Sequence, residues 1–155
     1  MPVRRFGTGI ISVSDSLEVI IDMGSSGRKV MRIDDIVTNV GISSIARILI
    51  GLQTLPFVYV AVGSGTTSPS TSDTSLENEV ARALGTPTTE RRRIQNDTSV
   101  VTASFTFSSQ VTLSESGLFD SPSGGNMLCR AVFRPITVQP DETVWFRWEL
   151  TFGRV

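Results

Sequence analysis

Carboxylates, hydroxyls and one thiol are the groups through which this 155-residue chain could do proton-transfer or covalent chemistry, because it contains no histidine. That absence removes serine-histidine triads, cysteine-histidine dyads and imidazole metal sites together. With a single cysteine, Cys129, neither an internal disulfide nor a zinc site on its usual ligands is expected. Carboxylate pairs remain. Asp34 with Asp35, and Asp141 with Glu142, are neighbours at strand edges, where adjacent side chains point apart, so neither pair makes an acid-base dyad. Glu77 and Glu79 fall near an expected helix start, where negative charge is favourable on electrostatic grounds alone. The loop at 120–126 has one carboxylate, Asp120, where calcium needs several oxygens. Residues 63–67, GSGTT, invite a phosphate reading, yet they lack the lysine of a Walker loop and the third glycine of a dinucleotide fingerprint. A turn held by hydroxyl-to-backbone bonds is expected there instead. No catalytic, cofactor-binding or metal-ligating residue is expected, and the chain reads as a non-enzyme.

The cations point elsewhere. Thirteen of the fourteen basic residues are arginine and only Lys29 is lysine. Guanidinium is weakly hydrated and makes forked hydrogen bonds, so arginine enrichment marks surfaces that become interfaces; a GC-rich codon usage gives the same bias. The net charge of -1 and pI near 5.4 supply no global attraction to phosphate or anionic lipid, so neither nucleic acid nor membrane is an expected partner. The candidate interface residues are the run Arg91, Arg92 and Arg93, the outward-phased Arg130, Arg134 and Arg147, the neighbouring Trp145, and Arg4, Arg5 and Phe6 near the start. A sugar-binding platform needs two or three exposed aromatics, and Trp145 stands alone.

These residues must be held by strands. Residues 57–62 are apolar on both alternating faces, which predicts a strand buried on both sides. A long polar loop follows, and then a short helix is expected, capped by Ser72 or Asp73, with Thr74 and Glu77 at capping-box spacing and a stripe of Leu76, Val80, Ala83 and Leu84. A second helix is predicted over 38–52, capped by Asn39, with Ile42, Ile45, Ala46, Leu49 and Leu52 inward. Residues 1–36 read as an arm plus hairpin turning at 24–27, and 37–155 as the main body, all one compact unit. Residues 85–97 read as a polar connection. Val101, Ala103, Phe105 and Phe107 mark a half-buried strand; Val111 and Leu113 mark a short one, after which 115–119 leaves the period. In 127–133, Cys129 shares a face with Met127, Ala131 and Phe133 and reads as a small buried hydrophobe. The last strand is the clearest, with Val144, Phe146, Trp148, Leu150 and Phe152 inward, expected to meet Val58, Val60, Val62, Phe105 and Phe107. The sum is a mainly β chain: an antiparallel β-sandwich or jelly-roll-like barrel with one or two short helices.

Several separated motifs also carry a resemblance. Thr38, Asn39 and Gly41 before a helix, the run VGSGTTSPSTSDTSLENEVAR, then LSESGLFD, MLCRAVFRPI and a final VWFRWELTF appear in one order. The pattern, across roughly residues 36–153, resembles a family of small tailed-bacteriophage virion proteins described as tail-fibre-like or minor structural proteins. The resemblance implies a non-enzymatic virion component that binds other virion proteins, in the tail or fibre-attachment apparatus or as a capsid decoration or cement protein. Open sheet edges and the outward Arg130, Arg134 and Arg147 lead to an expectation of self-association, and the resemblance implies a trimer through the symmetry common among such proteins. No shaft repeat or coiled coil is present, so the chain alone does not make a long fibre.

No apolar run approaches the length of a membrane span, and no continuous apolar region follows the first arginines, so a soluble chain is expected, assembled into a virion from the host cytoplasm. Residues 1–9 offer little apolar surface against an ordering cost of about 1–2 kcal/mol per residue. An arm that lies across a neighbouring subunit, with Arg4 and Arg5 on acidic groups and Phe6 in an apolar pocket, is the expectation.

Overall fold

A computed structural model describes residues 11–154 other than Gly24, Ser26 and Asp34. Strand β1 (Ile11–Asp22) turns into β2 (Arg28–Ile33), and a short β3 (Ile36–Val37) leads into the helix α1 (Asn39–Leu49). Then come β4 (Tyr59–Gly63), β5 (Glu79–Leu84), β6 (Thr86–Glu90), β7 (Thr98–Phe105), β8 (Val111–Phe119), β9 (Met127–Val138) and β10 (Thr143–Arg154). They form two five-stranded sheets, ordered β2-β1-β10-β7-β6 and β3-β9-β8-β4-β5, with antiparallel pairing between neighbours. This is the antiparallel β-sandwich that the alternating strands predict.

The first sheet follows from strict period two. Leu17, Val19 and Ile21 of β1 lie opposite Trp148, Phe146 and Val144 of β10, and all six are buried. On the other side of β10, Phe146 and Val144 face Ala103 and Phe105. Phe105 meets Phe146 edge-on at 5.8 Å between ring centroids, a favoured aromatic geometry. From the second sheet Val60, Val62, Leu118, Cys129 and Ala131 close the same core, while Phe107 and Phe152 pack at its margins. Strand β4 is covered on both faces at Val60, Ala61 and Val62, which are fully buried, whereas Phe57 and Val58, expected within the strand, precede it and are half-buried, Val58 at the apolar groove and not in the core.

Four expectations are corrected. No helix forms at 72–84: its latter half is β5, paired with β4 from Tyr59–Leu84 to Gly63–Glu79. The helical stripe of Leu76, Val80, Ala83 and Leu84 gives way because β4 offers an open edge, and backbone pairing there outweighs a weak local preference. Glu77 does not close a capping box with Thr74; its carboxylate accepts from the amides of Thr66 and Thr67 instead. Residues 85–97 are not wholly a connection, since β6 pairs with β7 as an edge strand containing Pro87, a residue tolerated at edges. Nor does β8 end at Leu113: it runs on to Phe119 through register shifts after Leu113 and Leu118. The second shift moves Met127 off the face of Cys129. Met127 joins Ala61, Leu76 and Phe119 in a second small core on the outer side of this sheet, beneath the 64–78 loop.

The fourth correction concerns α1. Thr38, not Asn39, is the cap; its hydroxyl oxygen accepts from the Gly41 amide at 2.8 Å and its hydroxyl donates to the Met127 carbonyl at 2.6 Å. The buried helical positions are Gly41 and Ser44. A Cβ on Gly41 would collide with the Leu128 backbone, so the helix sits on β9 through its smallest residues. That close approach rotates the expected stripe: Ile45 still packs on the core, but Ile42, Leu49 and Leu52 point outward, 59%, 82% and 73% exposed.

Candidate interaction surface

The outward face of the first sheet gathers several of the residues singled out in the sequence. Outward positions of β1, β2 and β10 align in register, so Val30, Ile20 and Trp145 lie side by side across three strands, with Ser104 of β7 next. Val30 and Trp145 are exposed and Ile20 half-buried. The adjacent register row is charged: Arg32, Glu18 and Arg147, ending at Thr102. Arg32 pairs with Glu18 at 3.3 Å. Arg147 pairs with both Glu90 and Glu149, and Arg92 reaches both Glu149 oxygens at 2.7 Å and Glu90 at 3.3 Å. The hydrogen bond from Arg147 is the main cause that holds the Glu90 carboxyl below its ordinary value.

Two arginines and two glutamates thus cancel one another beside an apolar strip. Such a surface offers a protein partner apolar contact with an oriented polar border, and it offers a polyanion little net attraction. Ile20 and then Val30 lie on one side of Trp145, and Ser104 on the other, where a sugar platform would need further rings.

Arg92 reaches this network because its loop is pinned. The Asp97 carboxylate accepts from the backbone amides of Ile94, Arg92 and Arg93, each at 2.8 Å, and from the Thr98 hydroxyl. These bonds, those from Ile94 and Arg92 foremost, hold Asp97 far below the usual carboxylate range. Arg91 and Arg93 are exposed at the same turn, and Arg134 is exposed on β9. Arg4, Arg5 and Phe6 lie outside the described residues.

Arg130 is the expected interface arginine that the fold removes from the surface, its side chain only 3% exposed. It phases outward on β9, but the 64–78 loop covers that position. Its guanidinium donates to Glu115 at 2.9 and 3.1 Å and to Asp73 at 2.9 Å. Fully buried Glu115 also accepts from the amides of Gly65, Glu77 and Asn78. Every strong acceptor of this carboxylate is engaged by the loop or by Arg130, so the group is a clamp that seats 64–78 on the sheet.

Two groups of oxygen and sulfur donors differ in what engages them. At the 120–126 loop, Asp120 accepts from the Asn126 amide and side chain, while Arg82 donates to the carbonyls of Ser121 and Gly124 and stacks 3.7 Å over Phe119. A guanidinium thus takes carbonyl oxygens that a calcium ion would use. Donor atoms of Asp15, Asp35 and Cys129 lie within 4.8 Å of one another. Burial, and then the Asp35 and Asp15 carboxylates, push the Cys129 thiol well above its ordinary value, so the free thiol stays protonated.

Sequence reasoning missed a second surface. Leu49, Ile50, Leu52 and Leu55 are all more than half exposed at the end of α1 and in the segment after it. The run ILIGLQTLP signals it: the apolar density of 48–56 outlasts the helix and cannot all be accommodated by one inner stripe. No family model, curated protein or solved structure matches the chain.

Proposed function

We propose that this chain is a non-enzymatic structural component of a tailed-phage virion, a β-sandwich interaction module of the tail or fibre-attachment apparatus. The observation that carries the interaction reading is the cross-strand row of Val30, Ile20 and Trp145 beside the self-neutralised network of Arg92, Arg147, Glu90 and Glu149. An aromatic anchor that continues a row of aliphatic side chains beside ordered arginines has the composition of a contact centre between proteins. The motif resemblance of residues 36–153 supplies the virion setting.

Quantitative mass spectrometry of purified virions of a phage that encodes the chain tests the proposal. A handful to a few tens of copies per particle is the expected result. Hundreds of copies would move the same module to capsid decoration, and absence from the particle would overturn the virion reading altogether. Incorporation of Trp145→Ala at the wild-type level would remove the proposed contact face from the account.

A further inference from the structure

An apolar groove of about 620 Å³ opens between the sheets, walled by Ile45, Ile48, Pro56, Phe57, Leu150 and Phe152. Among the described residues no charged side chain lines it. The groove lies at the end of the sandwich where β1 begins. Phe152 in its wall is the register partner of Val13, and two positions further out Ile11 partners Arg154, 75% exposed. The exposed patch of Leu49, Ile50, Leu52 and Leu55 continues from the chain that forms the same wall, between Ile48 and Pro56.

We infer that this groove receives residues 1–10 of a second copy of the chain, with Phe6 as the anchor. The inference deepens the interaction-module reading and rests on it. Residues 1–10 precede Ile11, which starts β1 at the groove's own end of the sandwich, and a fully extended chain spans about 17 Å between positions 6 and 11. The segment's sequence offers Val3, Phe6 and Ile10 for a cavity that has apolar walls and, among the described residues, no charge to satisfy. Its size is that of a small-ligand pocket, suited to an aromatic side chain with its neighbours. The occupant is a second copy rather than the chain's own segment because two surfaces need cover. Three apolar side chains can fill the groove, but they cannot also cover Leu49, Ile50, Leu52 and Leu55; a second copy that inserts its segment brings its body onto that patch. Reciprocal exchange of the segments closes the assembly.

Two differently tagged full-length copies, one carrying Phe6→Cys and the other Ile48→Cys, are co-expressed and exposed to mild oxidant; buried Cys129 is the common background. The expected product is a reducible heterodimer at twice the chain mass. Light scattering should give an oligomer for the wild type, and a monomer of unchanged circular dichroism for Leu52→Glu and for deletion of residues 2–9. Ile48 and Leu52 are exposed enough for these changes to spare folding. A disulfide that forms only within one chain in the Phe6→Cys, Ile48→Cys double variant, at monomer mass and independent of dilution, would overturn the exchange. So would a wild-type monomer at high concentration. Either result alongside normal particle incorporation would leave the proposed function standing and remove this inference alone.

Discussion

The indole Nε1 of Trp148 donates to the hydroxyl of Ser116 at 3.2 Å, joining the two sheets through the middle of an otherwise apolar core. Ser116 in turn donates to the Ala61 carbonyl at 2.7 Å. A serine in the centre of β8 is therefore fully buried without an unmet polar group, and the largest core side chain has its one polar atom satisfied.

Trp148→Ala should lose about 3–5 kcal/mol of unfolding free energy, from lost burial and the cavity left behind. Ser116→Ala should lose about 1–3 kcal/mol, because the Trp148 N–H is left without an acceptor inside the core. Urea denaturation of both variants checks the ranking. Equal stability of Ser116→Ala and wild type would mean that the hydrogen bond contributes nothing.

Arg130→Met should be severe, about 3–5 kcal/mol, since it strands the fully buried Glu115 carboxylate on amide partners alone. Hydrogen exchange should show the Gly65, Glu77 and Asn78 amides opening far more readily in this variant than amides of β1 or β10. A double variant that also replaces Glu115 with Leu should cost less than the sum of its single changes.

The loop at 91–97 should carry an acid-sensitive share of stability. Asp97 has a folded-state value below its unfolded one, so its contribution is complete above the unfolded value of 3.8 and is lost as the pH falls from there through the lowered folded value. The gap in melting temperature between wild type and Asp97→Ala should therefore be widest near neutral pH and narrow steadily below about pH 4. A gap that does not change with pH would show that Asp97 acts by shape alone.

Trp145→Ala should leave the melting temperature nearly unchanged, since the ring faces outward and 39% of the residue is exposed. Incorporation into particles should fall at least several-fold. Glycan-array binding that depends on Trp145 would redirect the face to sugars.

What could be read from residues alone was decided by how local the determining contacts are. Strand β10 was legible because each of its inward residues is apolar and each neighbour polar, apart from Trp145, so one period describes it. In β8 the triplet Ser114, Glu115 and Ser116 broke the pattern, and its burial depends on partners 15 to 55 positions away. Arg130 shows the same limit: its outward phase was correct, but no local signal says that the 64–78 loop will fold over it. The inner face of α1 was misjudged because hydrophobicity favours Ile42 and Leu49, whereas the spacing to β9 is set by the missing side chain of Gly41. The outward face of the first sheet was half legible; Trp145 and Arg147 were evident, while Ile20 and Val30 needed the register.

The antiparallel pairing of β1 with β10 also constrains how the protein is made. The bond from the Ser12 hydroxyl to the Gly153 carbonyl joins positions 141 residues apart. At synthesis rates of about 5–20 residues per second, β1 emerges from the ribosome on the order of ten seconds before the strand that completes its sheet. During that interval Leu17, Val19 and Ile21 have their hairpin partner β2 but lack their principal neighbour. A message or polypeptide cut short before β10 should thus yield insoluble chains rather than a smaller folded product.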